Sequence, residues 1–396
     1  MAQINNYFKK KYENDQEEFR AKIKKHRMSI LYRTVLVVCL IAAVSAAAYY
    51  NYKNMIYTDY TVIRSMDYDE ATTSSFVKYG KNILRYSTDG ISAFNMDNEM
   101  MWNQTFEMQN PLIDVCGEYI AIGDYKGSKI YILNTDGYQG QIDTTLPLQN
   151  FCVSNNGNVA VILEEGEITW VKLFNKNGEN IANDRTTMDK SGYPVAVAIS
   201  DNGMMMCVSY LIIDGGSLTS SVAFYNFGDV GQNEIDNLVS GYNYTDTIIS
   251  YVDMINANYS FAIGDNRLAI FKGSQKPENV FETALTEKVK SVFNNEEYIG
   301  LVYAEGTADN PYHIDVYNTS GDIVFDLDFA LNYSDIIFNK DFVIIYNSDE
   351  CLIYNINGVE KFNGRFKDSI VELVPTESAS KYLLVSGSRT EEIQLK

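Results

Sequence analysis

Tyr131-Ile132-Leu133-Asn134-Thr135-Asp136-Gly137 is an apolar strand that ends on asparagine and closes with glycine. The unit returns as Leu173-Phe174-Asn175-Lys176-Asn177-Gly178, as Val316-Tyr317-Asn318-Thr319-Ser320-Gly321 and as Ile353-Tyr354-Asn355-Ile356-Asn357-Gly358. Looser copies lie at Ala93-Phe94-Asn95, Phe224-Tyr225-Asn226 and Ile270-Phe271-Lys272-Gly273. The shortest step, Asn318 to Asn355, is 37 residues and the longest, Asn175 to Asn226, is 51, a spacing typical of propeller blades. Each copy ends a strand with a side chain that tolerates left-handed geometry, then Gly, then another strand. One such unit cannot bury both its faces, so the copies must pack on each other.

From Ser74 onward, strands of four to eight residues alternate with turns and show almost no helical periodicity. Four strands per unit fit. The first unit spans about 74–108, the second begins at Leu112 and the third at Gln149. The fourth begins at Pro194, the fifth near Thr247, the sixth near Lys288 and the seventh near Tyr333. Three strands remain at the C-terminus, Ser369–Val374, Lys381–Ser386 and Arg389–Leu395, and one spare run, Tyr60–Arg64, precedes the first unit. Pairing the spare run with the last three closes a ring and covers an exposed edge. The expectation is an all-β, eight-bladed propeller over 60–396, with seven blades as the alternative.

Nearly half of the residues are apolar and thirty are tyrosines, which suit half-buried strand faces. The net charge is −20. Residues 1–33 carry nine Lys/Arg and four Asp/Glu, about +5, so the remainder holds 23 basic and 48 acidic residues, about −25. Such a domain repels phosphates, which argues against nucleic acid. Of five cysteines, Cys116, Cys152, Cys207 and Cys351 fall in or beside strands of different repeats, and buried free thiols are expected. Cys116 and Cys152 occupy similar places in adjacent repeats, which leaves a bridge between them open.

Thr34–Tyr50 is uncharged, and adding Ile30–Arg33 gives a span of about 20 residues, enough to cross a bilayer. Lys22, Lys24, Lys25, Arg27 and Arg33 stand upstream, and Tyr49, Tyr50 and Tyr52 form an interfacial belt downstream. Positive-inside asymmetry then gives a cytoplasmic tail at 1–29, a transmembrane helix at 30–50, a linker at 51–59 and an extracellular propeller. A cleavable signal peptide and a buried core helix are the competing readings of the apolar stretch. Phe8, Tyr12, Phe19 and Ile23 show partial i, i+4 spacing, which suggests a short amphipathic helix in the tail.

Through Arg33–Tyr50 and the repeated Y-N-x-x-G turns, the chain resembles an uncharacterised family of Gram-positive, clostridial-type, single-pass membrane proteins. The propeller resembles the quinoprotein-like and WD40-like groups. The resemblance implies the architecture and carries no activity that could be transferred.

Catalytic constellations are scarce. His313, on the expected strand Tyr312–Tyr317, is the one histidine beyond the span, and no GxSxG elbow accompanies it. It reads as a structural residue. Sites built on several histidines are excluded. Quinone chemistry in this fold needs tryptophan packing, and only Trp102 and Trp170 are present. Acidic pairs at turns, such as Glu164-Glu165 and Asp349-Glu350, are too numerous to single out a glycosidase pair. No cofactor, metal or catalytic residue is therefore expected.

One asymmetry points to a partner face. Connections between second and third strands are longer and more varied, at Gly123–Ser128, Tyr210–Ser220 and Ala304–Tyr312. They carry Asp124, Asp214, Glu305 and Asp309, joined from shorter turns by Asp265, Asp349, Glu164, Glu165 and Glu350. Variable loops on a rigid scaffold commonly bind. The function expected is a non-catalytic cell-surface scaffold or recognition module for a protein or an envelope polymer. The alternatives are an envelope hydrolase or lyase using channel carboxylates, and a transmembrane sensor acting through the tail. The oligomeric state stays open.

Overall fold

The computed structural model describes all residues except 1, 54, 68–73, 96, 98, 188–190, 305 and 377, and no side chains of 2–18, 21, 48–49, 51–53 and 187. It divides into two units, residues 1–56 and 57–396.

The first unit is one unbroken helix, Ala2–Lys53. The tail and the span that the sequence separates at residue 30 thus share one helix. Within it, Lys22–Ala47 is long and apolar enough to cross a membrane, with mean hydropathy 2.2, and none of it is buried. An unburied apolar helix is not the core helix of a folded domain. Phe8 and Tyr12 of the amphipathic stripe lie outside the described side chains.

The second unit is eight antiparallel four-stranded sheets, hereafter blades 1 to 8. Blade 1 runs from Ser75–Tyr79 to Met100–Thr105, and blade 2 from Pro111–Cys116 to Gly137–Asp143. Blade 3 runs from Leu148–Val153 to Asn180–Thr187, blade 4 from Tyr193–Ile199 to Leu238–Thr245, and blade 5 from Ile249–Asn256 to Glu278–Ala284. Blade 6 runs from Val289–Asn294 to Ile323–Phe329, and blade 7 from Asp335–Asn339 to Glu360–Arg365. Blade 8 joins Glu372–Pro375, Lys381–Val385 and Arg389–Leu395 to Tyr60–Asp67, in register from Tyr60 opposite Leu395 to Asp67 opposite Arg389. The count of eight agrees with the sequence.

The recurring asparagine has a defined task. The Asn175 side-chain oxygen accepts the amides of Asn177 at 2.9 Å and Glu179 at 3.0 Å, while the Asn175 backbone amide donates to the Glu179 carbonyl. Asn95, Asn318 and Asn355 repeat the arrangement. A side-chain acceptor in place of a backbone one is what lets the third strand turn tightly into the fourth. Gly178 sits at φ 80°, and an added Cβ there would collide with the Gln141 carbonyl of blade 2. Just before the turn the ladder slips by one residue, at Leu173/Phe174, Val316/Tyr317 and Ile353/Tyr354, and at the same place in the other four of blades 1 to 7. These bulges bend and twist the outer strand.

Inter-blade packing supplies the core. Eight apolar clusters each join two neighbouring blades, with the last joining blade 8 to blade 1. The second unit begins at Tyr57, inside the expected 51–59 linker. Tyr57 is buried in the seam between blades 7 and 8, and its amide donates to the Lys361 carbonyl at 2.7 Å. Its ring gains more from that seam than from water.

Candidate functional site

Strand direction is the same in every blade, so all connections from second to third strands lie on one face. Asp124, Asp214, Asp265, Asp309 and Asp349 occupy that face, in blades 2, 4, 5, 6 and 7. Glu305 lies outside the described residues.

Their surroundings separate them. The Asp124 carboxylate accepts the backbone amides of Asn110 at 2.7 Å and Gln109 at 3.1 Å, which pins its turn to the link from blade 1. Asp265 likewise accepts the Ile248 amide at 2.9 Å. Asp349 accepts the Ser348 hydroxyl at 2.9 Å. These three hold turns. Asp214 and Asp309 are exposed, and their side chains have no partner among the described residues.

Tyr210–Ser220, expected as a loop, is instead a hairpin. Met205–Asp214 and Ser217–Asn226 are ten residues each and turn through Gly215-Gly216, both at positive φ. Ile212, Ile213 and Leu218 keep the strand going, and the glycine pair supplies a two-residue turn. The other second strands are five to seven residues long. At about 3.3 Å per residue the blade 4 hairpin projects about 10 Å further. It ends on Asp214 with Ile213 46% exposed.

Beside it the face carries aromatic groups. Tyr193, at the start of blade 4, is half-buried and lies near Glu164 of blade 3. Burial raises its pKa, helped by the Glu164 charge and by Tyr125 of blade 2. Tyr125 is 39% exposed. The three come from different blades and meet on the same face. Only Glu164 was legible in the sequence; Tyr125 carried a signal, an aromatic residue opening a Lys-Gly turn.

The inner strands hold a second group. Asp114 of blade 2 accepts the Val153 amide at 2.7 Å, and Asp253 of blade 5 accepts the Met254 amide at 2.7 Å and the Asn294 side chain at 3.0 Å. Burial, with the Asp253 charge adding to it, pushes Asp114 up to about 6, and Asp253 is raised as well. Both are partly buried. All five cysteines are free. Cys116 donates to Asp201 at 3.5 Å, and burial pushes its thiol up to about 12. An inert thiol is the result.

His313 is less isolated than the sequence suggests. Cross-strand register sets it opposite Asp328 and sets Asp315 opposite Asp326. Its Nδ1 lies 2.8 Å from Asp328 and its Nε2 3.1 Å from Asp315. Burial acts against the charged ring, but these hydrogen bonds prevail and raise its pKa. His313, Asp315 and Asp326 are spaced so that they could hold a metal ion. The hydrogen bonds to both ring nitrogens equally suit a structural ion-pair cluster.

Fold and site together define an eight-bladed β-propeller preceded by one apolar helix. The chain belongs to the family described as "Family of unknown function (DUF5711)", which matches residues 51–395. No curated protein matches. Among solved structures the chain is similar to BamB from Moraxella catarrhalis, at 13% identity and TM-score 0.52, over 85% of this chain and 100% of that one. It is also similar to apo AztD from Citrobacter koseri, at 10% identity and TM-score 0.51, over 75% of this chain and 87% of that one. At such identities the likeness shows the fold alone.

Proposed function

We propose that this protein is a non-catalytic recognition or scaffold module at the cell surface, whose second-to-third-strand face binds a protein or an envelope polymer. The observation that carries the reading is the projecting blade 4 hairpin. It presents an unpartnered Asp214 and an exposed Ile213 beside the Tyr125, Tyr193 and Glu164 cluster. Aromatic anchors with a charged rim are the usual composition of a binding patch. The basic residues Lys22, Lys24, Lys25, Arg27 and Arg33 ahead of the uncharged run Thr34–Tyr50, and the resemblance to single-pass Gram-positive proteins, support an N-terminus in the cytoplasm and a propeller outside. Protease added to intact cells should then degrade the propeller. Crosslinking in intact cells should capture a partner with the native chain and lose it with the pair Asp214→Lys and Asp309→Lys. Unchanged capture overturns the reading.

A second reading, an envelope hydrolase, rests on the Asp114–Asp253 pair. Two carboxyls with raised pKa values are the acid–base material of such enzymes. Asp114→Asn with Asp253→Asn would abolish hydrolysis of envelope glycans under this reading and leave partner capture intact under the first.

A further inference from the structure

Blade 6 concentrates charge on its two outer strands. His313 and Asp315 stand two residues apart on the third strand, Tyr312–Asn318, and Asp326 and Asp328 two apart on the fourth, Ile323–Phe329. Side chains at i and i+2 share one face of a strand. Ile314 and Val316 point the other way and join Val343 and Ile345 of blade 7. The four polar side chains therefore lie on the side of the sheet turned to blade 5, where Tyr303 and Tyr317 pack with Leu268 and Ile270. Register makes a square of them, with His313 opposite Asp328 and Asp315 opposite Asp326. No Lys or Arg pairs with any of the three carboxylates among the described residues. One protonated imidazole offsets only one of them, and like charges set directly opposite destabilise a ladder.

The other blades show that the scaffold does not require this. The ladder slip before the asparagine turn aligns blades 1 to 7, so each has four equivalent positions. In blades 1 and 4 these positions carry no charge. In blade 3 they carry cations alone, Lys172 and Arg185. In blades 2, 5 and 7 a single acid has a cation beside it. Lys129 stands opposite Asp143, Arg267 pairs with Glu282, and Arg365 pairs with Glu350. Among these seven blades, acids outnumber cations at these positions only in blade 6.

The geometry suits a cation at the square. The donor atoms of His313, Asp315 and Asp326 all lie within 4.8 Å of one another, and the Nε2 of His313 is 3.1 Å from Asp315. Asp328 meets Nδ1 at 2.8 Å. With the ring proton on Nδ1, that carboxylate fixes the tautomer, and the Nε2 lone pair faces the other two acids. Histidines that ligate metals are commonly held this way. The Tyr303 ring, stacked on His313 at 6.0 Å, supports the imidazole plane. A hydrogen-bonded ion pair accounts for Asp315 and Asp328 but leaves Asp326 opposite Asp315 unexplained. One imidazole nitrogen with two carboxylate oxygens suits a first-row divalent cation better than Ca²⁺ or Mg²⁺, which favour oxygen alone. Asp326 is exposed, so the square is open to solvent.

We infer that His313, Asp315 and Asp326 bind a divalent transition-metal cation such as Zn²⁺, with Asp328 as the positioning residue that orients the imidazole. The inference does not rest on the partner role of the second-to-third-strand face.

The test uses the full chain without a histidine tag, stripped with EDTA, in nanodiscs of zwitterionic lipid. Zn²⁺ is titrated by calorimetry and Co²⁺ by visible absorption. Stoichiometric Zn²⁺ binding is expected, with a Co²⁺ ligand-field band that Zn²⁺ displaces. His313→Gln and Asp326→Asn should each weaken binding about tenfold or more and melt as the native metal-free chain does. Asp328→Ala should weaken it about 10–100-fold, and Asp328→Asn, which keeps an acceptor for Nδ1, should recover part of the loss. Asp214→Asn, on the blade 4 hairpin, should leave it unchanged. Absence of a stoichiometric Zn²⁺ site in the native chain overturns the proposal. So does native affinity in His313→Gln or in Asp326→Asn, which would put the bound ion elsewhere.

Discussion

The seam between blades 7 and 8 and the seam between blades 8 and 1 flank the same sheet, yet they are built differently. The first buries thirteen side chains, among them Phe362, Phe366, Tyr382 and Tyr57. Phe362 and Phe366 stack at 5.6 Å, and Tyr60 meets Phe366 edge-on at 5.0 Å. The second buries three side chains and leaves a large cavity. Blade 8 is therefore glued to blade 7 by apolar packing and only lightly to blade 1. What holds the ring shut is the backbone ladder inside blade 8, between Tyr60–Asp67 and Arg389–Leu395. Its ends are tied by Lys396–Asp59 at 3.2 Å and Arg389–Asp67 at 3.7 Å, exposed pairs that add little. Closure by hydrogen bonds rather than packing leaves space beside the joint.

The largest test of this contrast removes the ladder. Deleting residues 60–67 should abolish cooperative unfolding and leave Arg389–Leu395 as an open edge that associates, visible by circular dichroism melting and by sedimentation. A ring that melts normally would place closure in the seams instead. Next, Phe362→Ala should cost about 3–5 kcal/mol, whereas Ile83→Ala should cost about 2 kcal/mol, because its buried cluster holds only Val374 and Leu383 besides. Chemical denaturation of the two variants measures the difference, and equal losses would erase the distinction.

The third test is pH. Glu372, on the inner strand of blade 8, is pushed up to about 7 by burial, with the Asp335 charge adding to it and the Tyr346 hydroxyl opposing it. The folded state therefore holds a proton that the unfolded chain releases near the ordinary glutamate value. Stability should fall as pH rises from about 4.5 to about 7, by up to about 3 kcal/mol. Glu372→Gln should flatten that slope in denaturation curves across the window. The smallest effect belongs to the polar lacing between blades. The Asn295 side chain donates to the Lys340 carbonyl across the seam from blade 6 to blade 7 at 3.1 Å. Asn295→Ala should cost about 1 kcal/mol in the same assay.

The acidic face illustrates what a sequence leaves open about a site. Asp124, Asp265 and Asp214 look alike in the chain, each an acid at a second-to-third-strand turn. Two of them satisfy backbone amides of a neighbouring segment, and one stands free at the tip of a long hairpin. Whether a carboxylate meets an amide or water depends on how the preceding blade is placed, and no local pattern reports that. The Tyr210–Ser220 segment failed for a related reason. Its Gly-Gly pair reads as a loop until the β-branched residues on both sides are seen to pair.

The repeat, the number of blades and the apolar N-terminal helix followed from the sequence alone, because they rest on local periodicity: asparagine-glycine turns at regular intervals, alternating strands, and an uncharged apolar run. Tertiary structure alone decided which acids are free, which seam is thin and where the lysines gather. Lys78, Lys340 and Lys381 are separated by hundreds of residues or sit in different blades, and only ring closure brings them to one cavity. Contacts of that kind depend on the register and placement of whole sheets, which the chain encodes through the sum of its packing rather than in any one stretch.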